Sequence, residues 1–186
     1  YAGADGNLAV GAYGIINRTT MFFVMIVFGV TQGMQPILGF NFGANKWNRV
    51  KNTLYMGIWI GIAITVVGFA VTESFPDTIS SFFTNDRTLI DMARNGFRIY
   101  FIFYPVVGCQ IVIQNFFQSI GKPKLSIFLS LTRQLLFLIP FLIILPKYYG
   151  IDGVWASMCG SDLVAFVTAI VTLIIEIRIL NKRFLN

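Results

Sequence analysis

Long apolar runs, rather than alternation, organise this chain. Residues 54–75 carry no charge before Glu73, and residues 99–120 carry none at all. Residues 125–146 contain only Arg133, and residues 154–177 contain Asp162 and, at their end, Glu176. Each run is close to the roughly 20 residues a helix needs to cross a bilayer core about 30 Å thick. The first run, residues 8–42, is longer; it holds Arg18 and the polar stretch Thr31-Gln32-Gly33-Met34-Gln35-Pro36. It reads as one helix kinked at Pro36, whose ring clashes with the preceding turn. The expected fold is an all-α integral membrane protein with five transmembrane helices, because lipid obliges a spanning backbone to bond within itself. A barrel would need short alternating strands.

The connections are polar. Residues 43–52 carry Lys46, Arg49 and Lys51, residues 121–124 read Gly-Lys-Pro-Lys, and the tail carries Arg178, Lys182 and Arg183. The longer connection at 76–98 includes the helix-start signal Thr84-Asn85-Asp86. Leu89, Ala93 and Phe97 then recur at i, i+4, i+8, which predicts an amphipathic surface helix over about 85–97. Lys46, Arg49, Lys51, Lys122, Lys124, Arg178, Lys182 and Arg183 all fall on one side of the membrane. Arg87, Arg94, Arg98 and Lys147 fall on the other, together with Asp5, Glu73, Asp77, Asp86, Asp91 and Asp152. The positive-inside rule makes the first side cytoplasmic, so the chain starts outside and its C-terminus is cytoplasmic. It enters a few residues before a span, and it is expected to be the C-terminal part of a longer protein.

Composition supports a lipid-dissolved chain. Of 186 residues, 56% are hydrophobic and 12% charged, against about 25% charged in soluble domains. The net charge of +6 is accounted for by topology, which argues against nucleic acid as a partner. With no His, imidazole ligands and His-based nucleophile systems are excluded. Cys109 and Cys159 lie in apolar runs without CxxC spacing and read as packing residues. No P-loop motif occurs. An intramembrane enzyme would need a buried acid pair or Ser–Lys pair, whereas Asp162 is alone in its span and no Lys lies within one.

Groups that lipid tolerates poorly are the candidate functional residues. Arg18, Arg133 and Asp162 lie inside spans, where a charge costs about 2.5–3.5 kcal/mol on insertion scales. At 1.5 Å per residue, Asp162 lies roughly 12 Å from the outer side, Arg18 roughly 15 Å and Arg133 roughly 20 Å. Depth therefore favours Arg18 as the partner of Asp162, although an Arg stem spans either gap. Either an ion pair tying helices together or a protonatable cation site fits Asp162. Gln110, Gln114 and Gln118 recur every four residues with Asn115 beside them. Asn17 and Gln35 are five full turns apart, with Gln32 a small rotation away. Interhelical hydrogen bonds, or the lining of a substrate path, both account for these stripes. Gly29/Gly33, Gly39/Gly43 and Gly57/Gly61 have the small-xxx-small spacing of close helix packing.

Several fragments, in order, resemble the MATE (multidrug and toxic compound extrusion) transporters, most of all the bacterial MepA-type branch. They are residues 11–18 (GAYGIINR), 32–44 (QGMQPILGFNFGA), 83–86 (FTND), 117–124 (FQSIGKPK), 132–134 (TRQ) and 150–155 (GIDGVW). The resemblance implies that residues 1–186 are a partial C-terminal lobe, helices 8–12 of a twelve-helix, two-lobe fold. It implies export of cationic, amphipathic organic compounds in exchange for H⁺ or Na⁺ by alternating access, from the bacterial inner membrane. No cofactor beyond the coupling ion is expected. The partners would be small-molecule drugs, the lipid bilayer and the missing N-terminal lobe. Some members of the family place a carboxylate in the tenth helix, where this chain has Val106, Val107, Gly108 and Cys109. The essential coupling acid is therefore expected in the absent lobe. A flippase for lipid-linked precursors is the alternative in the same superfamily, but it would need more cations in the spans than Arg18 and Arg133.

Overall fold

The computed structural model describes residues 6–185, all of them in helices or the short turns between helices. α1 (Gly6–Gly43) runs unbroken through Pro36, and α2 is Trp47–Ser74. The turn between them places Asn45 at φ 57. Lys46 N–H bonds back to the Asn41 carbonyl at 2.9 Å and Asn45 N–H to the Phe42 carbonyl at 3.1 Å. This is the paired closure of a helix end whose terminal residue turns left-handed, a conformation Asn tolerates. The short α3 (Pro76–Ser81) starts with proline at its first position, where no N–H is needed.

α4 (Arg87–Tyr100) starts where the sequence signal places it. Asp86 accepts a hydrogen bond from Thr88 N–H at 2.9 Å, and Thr84 Oγ1 accepts one from Asp86 N–H at 3.2 Å. Its apolar face (Ile90, Ala93, Gly96, Phe97) is buried against α1 and α7. A helix expected on the membrane surface thus packs into the protein. Helical spacing cannot tell a lipid-facing stripe from one that meets another helix, and Ile16 of α1 and Trp155 sit directly on Gly96. A 3₁₀ turn (Phe101–Phe103) carries α4 into α5 (Tyr104–Ser119), and the stretch Arg87–Ser119 is apolar and long enough to cross a membrane.

α6 (Pro123–Leu131) leads through a π-helical segment (Thr132–Leu138) into α7 (Ile139–Leu185). α7 is broken at Gly150, where φ 57 and ψ −131 are not helical. The two parts fold back on each other: Ser157 Oγ donates to the Phe141 carbonyl at 2.9 Å, and Gly160 lies against the Phe141 ring. By length and composition the other candidate spans are Gly6–Gly43, Trp47–Ser74 and Pro123–Phe184, the last containing this hairpin.

α2 and α5 pack backbone against backbone. A Cβ at Gly108 would collide with the Gly61 carbonyl, and one at Gly61 would sit 2.9 Å from the Gly108 carbonyl oxygen. Gly57 and Gly61 therefore pack as their spacing suggests, whereas Gly29, Gly33 and Gly43 face open space. The ends of the bundle differ in charge. Lys122–Glu176 and Trp47–Asn181 contacts gather the basic turns and the tail at one end. At the other, Arg94 grips Asp77 through Nε at 2.5 Å and Nη2 at 2.6 Å. That grip holds the Asp77 carboxyl below its ordinary range, through the hydrogen bond first and the neighbouring positive charges second.

Candidate functional site: an ion pair within the helical spans

The hairpin at Gly150 sets two helices antiparallel and brings Arg133 opposite Asp162. Arg133 donates to Asp162 Oδ1 from Nε at 2.7 Å, and its Nη2 lies 2.6 Å from the same oxygen. Among the described residues no hydrogen bond is made to Oδ2. Asp162 is buried, and Arg133 keeps about a third of its side chain exposed. The pair opens into a cavity of about 220 Å³ lined by Tyr13, Asn17, Tyr100, Arg133, Gln134, Leu138, Met158, Ser161 and Asp162. An apolar cavity of about 320 Å³ adjoins it, sharing Tyr13 and Met158 as walls and lined also by Val10, Ile151, Val154 and Trp155. Charge, amide, hydroxyl and phenol groups thus meet between α1, α4, the π-helical segment and α7.

The partner of Asp162 is Arg133, not Arg18 as depth favoured. Depth along an axis ignores rotation about it. Arg18 lies on the exposed face of α1 with Met21, Phe22 and Met25, turned away from the buried Ile15, Ile16, Thr19 and Thr20. The depth gap to Arg133 is closed by its long stem.

Of the nine sequence candidates, the structure brings Asn17, Arg133 and Asp162 together. Gln32 and Gln35 lie roughly 22–27 Å further along α1, Gln32 exposed and Gln35 half-buried. Gln110, Gln114 and Gln118 do not reach the cavity. They grade along α5 from fully buried through half-buried to exposed, and both carboxamide atoms of Gln110 are buried without a partner. Tyr13, Tyr100, Gln134 and Ser161 are site residues the sequence reading did not single out. Gln134 and Ser161 adjoin the charged pair, and Tyr13 is one helical turn from Asn17, so each stood next to a flagged position. Among the described residues no group of three His, Cys, Asp or Glu comes together.

Helices of this length and hydropathy around a polar cavity define a multi-pass membrane protein of the polytopic helical class. A family model described as MatE matches residues 1–144, and the chain belongs to that family. Multidrug export protein MepA of Staphylococcus aureus (strain NCTC 8325 / PS 47) is 24% identical over 175 residues, covering 94% of this chain and 38% of the relative. The chain thus spans less than two fifths of the length of the curated relatives it matches. Among solved structures, the MATE multidrug transporter DinF-BH in complex with R6G is 37% identical, with a TM-score of 0.80, and the match covers 87% of this chain and 36% of that one. A MATE structure in complex with MaL6 shares the fold at a TM-score of 0.90 and 20% identity, over 97% of this chain and 41% of that one.

Proposed function

We propose that this chain forms helices 8–12, most of the C-terminal lobe, of a secondary active multidrug exporter that exchanges amphipathic organic cations for H⁺ or Na⁺ by alternating access. The observation that carries the reading is the exposed face of α1. Arg18 and Gln32 are exposed on a helix long and apolar enough to cross a bilayer. A charged residue there is costly against lipid and belongs on a water-filled or protein-covered face. The same face carries Met21, Phe22, Met25 and Phe28. Flexible thioethers and aromatic rings adapt to apolar bodies of varied shape, as a wall for assorted compounds must. DinF-BH, similar to this chain over 87% of its length, is a multidrug transporter solved with R6G bound. In this reading Asn17, Arg18, Gln32 and Gln35 line the cargo path.

Asp162 is already neutralised by Arg133, so the cavity holds no free acid among the described residues. The coupling carboxylate accordingly belongs to the absent lobe. The same neutralisation speaks against the flippase alternative, because within the apolar runs a polyanion would meet, among the described residues, Arg18 alone as a cation without an acidic partner. In this topology the basic end faces the cytosol. The test is dye accumulation in cells expressing the full-length protein. Expression should lower accumulation, and either a protonophore or sodium removal should abolish the effect and thereby name the ion. Accumulation that responds to neither treatment overturns the coupled-export reading.

A further inference from the structure

The basic end of the bundle holds cations that have no acidic partner among the described residues. Among the described residues, Arg94, Lys122 and Arg133 have acidic partners. Lys46, Arg49, Lys51, Lys182 and Arg183 have none, and the fold brings Lys46 and Arg49 beside Phe184 and its neighbour Arg183. Trp47 Nε1 donates to Asn181 Oδ1 at 2.5 Å, and the Trp47 ring stacks on Phe184 with centroids 5.6 Å apart. Phe42 meets Phe184 edge-on at 5.5 Å, and the Arg183 guanidinium lies 5.4 Å from the centre of the Phe184 ring. The last turns of α7 are thereby pinned beside the first turn of α2. Between them is a cavity of about 300 Å³ lined by Asn45, Lys46, Trp47, Asn48, Arg49 and Phe184.

That lining is amphiphilic in a definite order. Lys46, Arg49 and the two carboxamides are exposed, whereas Trp47 is buried and forms the apolar wall with Phe184. A ligand matching it carries negative charge and several acceptor oxygens at one end and an apolar body at the other. The cavity also sits at the ends of two candidate spans, at the start of α2 and the last turn of α7. We propose that it is a binding site for an anionic phospholipid, with the phosphate held by Lys46 and Arg49, the remaining headgroup oxygens accepting from the Asn45 and Asn48 carboxamides, and the glycerol end against Trp47 and Phe184. Basic pockets at the cytoplasmic ends of membrane helices attract such lipids through the same charge balance. The inference rests on the proposed topology, but its readout does not depend on transport.

The test is the thermal midpoint of the detergent-purified full-length protein, titrated separately with phosphatidylglycerol and phosphatidylcholine. The wild type should be stabilised at about tenfold lower concentrations of the anionic lipid, and Lys46→Gln with Arg49→Gln should bring the two titrations together. Arg87→Gln with Lys147→Gln, at the opposite end, should leave the preference intact. Should the first double variant not fold, Arg49→Gln alone should weaken the preference in the same direction. Unchanged preference in the folded variant overturns the site. Displacement of the phosphatidylglycerol effect by inorganic phosphate would make it a site for a soluble anion and overturn the lipid assignment.

Discussion

Two arginine–aspartate pairs of nearly equal length lie in opposite surroundings. Arg133 meets Asp162 at 2.6 and 2.7 Å, and the Asp162 side chain is 5% exposed. Arg94 meets Asp77 at 2.5 and 2.6 Å, and the Asp77 side chain is 52% exposed. The rim pair has the better geometry, a two-pronged fork onto both carboxylate oxygens, whereas Arg133 makes a single hydrogen bond, from Nε to Oδ1. Geometry does not set what each is worth. At the rim, water and salt stand ready to solvate either partner. Within the spans Asp162 is nearly sealed from water while Arg133 is about two-thirds buried, so the pair holds the hairpin because of what its absence would leave behind.

Breaking the buried pair is the sharpest way to test that difference. Asp162→Asn leaves the Arg133 charge uncompensated and should destabilise the full-length protein by about 3–5 kcal/mol, read as a lowered unfolding midpoint in detergent. Adding Arg133→Gln should restore most of the loss, because no charge then remains buried. Dye export by that double variant should persist if the coupling acid lies in the other lobe. A single variant as stable as the wild type would show that the pair contributes nothing and that the cavity is wetter than its lining implies.

Gln110 sharpens the comparison from another side, as a buried polar group with no partner at all. Its two carboxamide atoms are sealed within α5 packing and satisfied by nothing among the described residues. Gln110→Leu keeps the volume close and removes the unmet hydrogen bonds, so it should stabilise the protein by about 1–3 kcal/mol. A destabilised variant would instead mean that Gln110 bonds to a group outside these residues, as a path-lining amide would.

These contrasts mark where the sequence was readable. The apolar runs marked the long helices, because lipid admits few alternatives to a helix of that length, and α4 begins directly after Thr84-Asn85-Asp86. Rotation about a helix axis was much less legible. Arg18 and Arg133 were both at plausible depths, and only packing shows that one faces outward and the other faces Asp162. The apolar stripe of α4 was visible, but not that α1 and α7 cover it. Nothing in Val106-Val107-Gly108-Cys109 announces the backbone contact with Gly61, since a lone glycine in an apolar run has no spacing to betray it. The π-helical turn at Thr132–Leu138 likewise has no sequence signature of its own.

The smallest effect belongs to the rim pair, and pH exposes it. Arg94 holds the Asp77 carboxyl below its ordinary value, with Arg87 and Arg98 adding to the pull. A carboxyl depressed by folding contributes stability that is fully present above its unfolded value and is lost as pH falls through the folded value. At neutral pH, therefore, Asp77→Asn removes whatever the pair contributes, and the half-exposed position of Asp77 makes that little. The wild type should lose this increment only in the acid limb, below the ordinary carboxyl value of 3.8. Arg94→Gln should shift that part of the limb toward higher pH, and added salt should shrink the difference between the two proteins. An acid limb that Arg94→Gln leaves untouched would mean that the fork does not persist at the membrane surface, leaving the buried pair as the one arginine–aspartate contact that organises this fold.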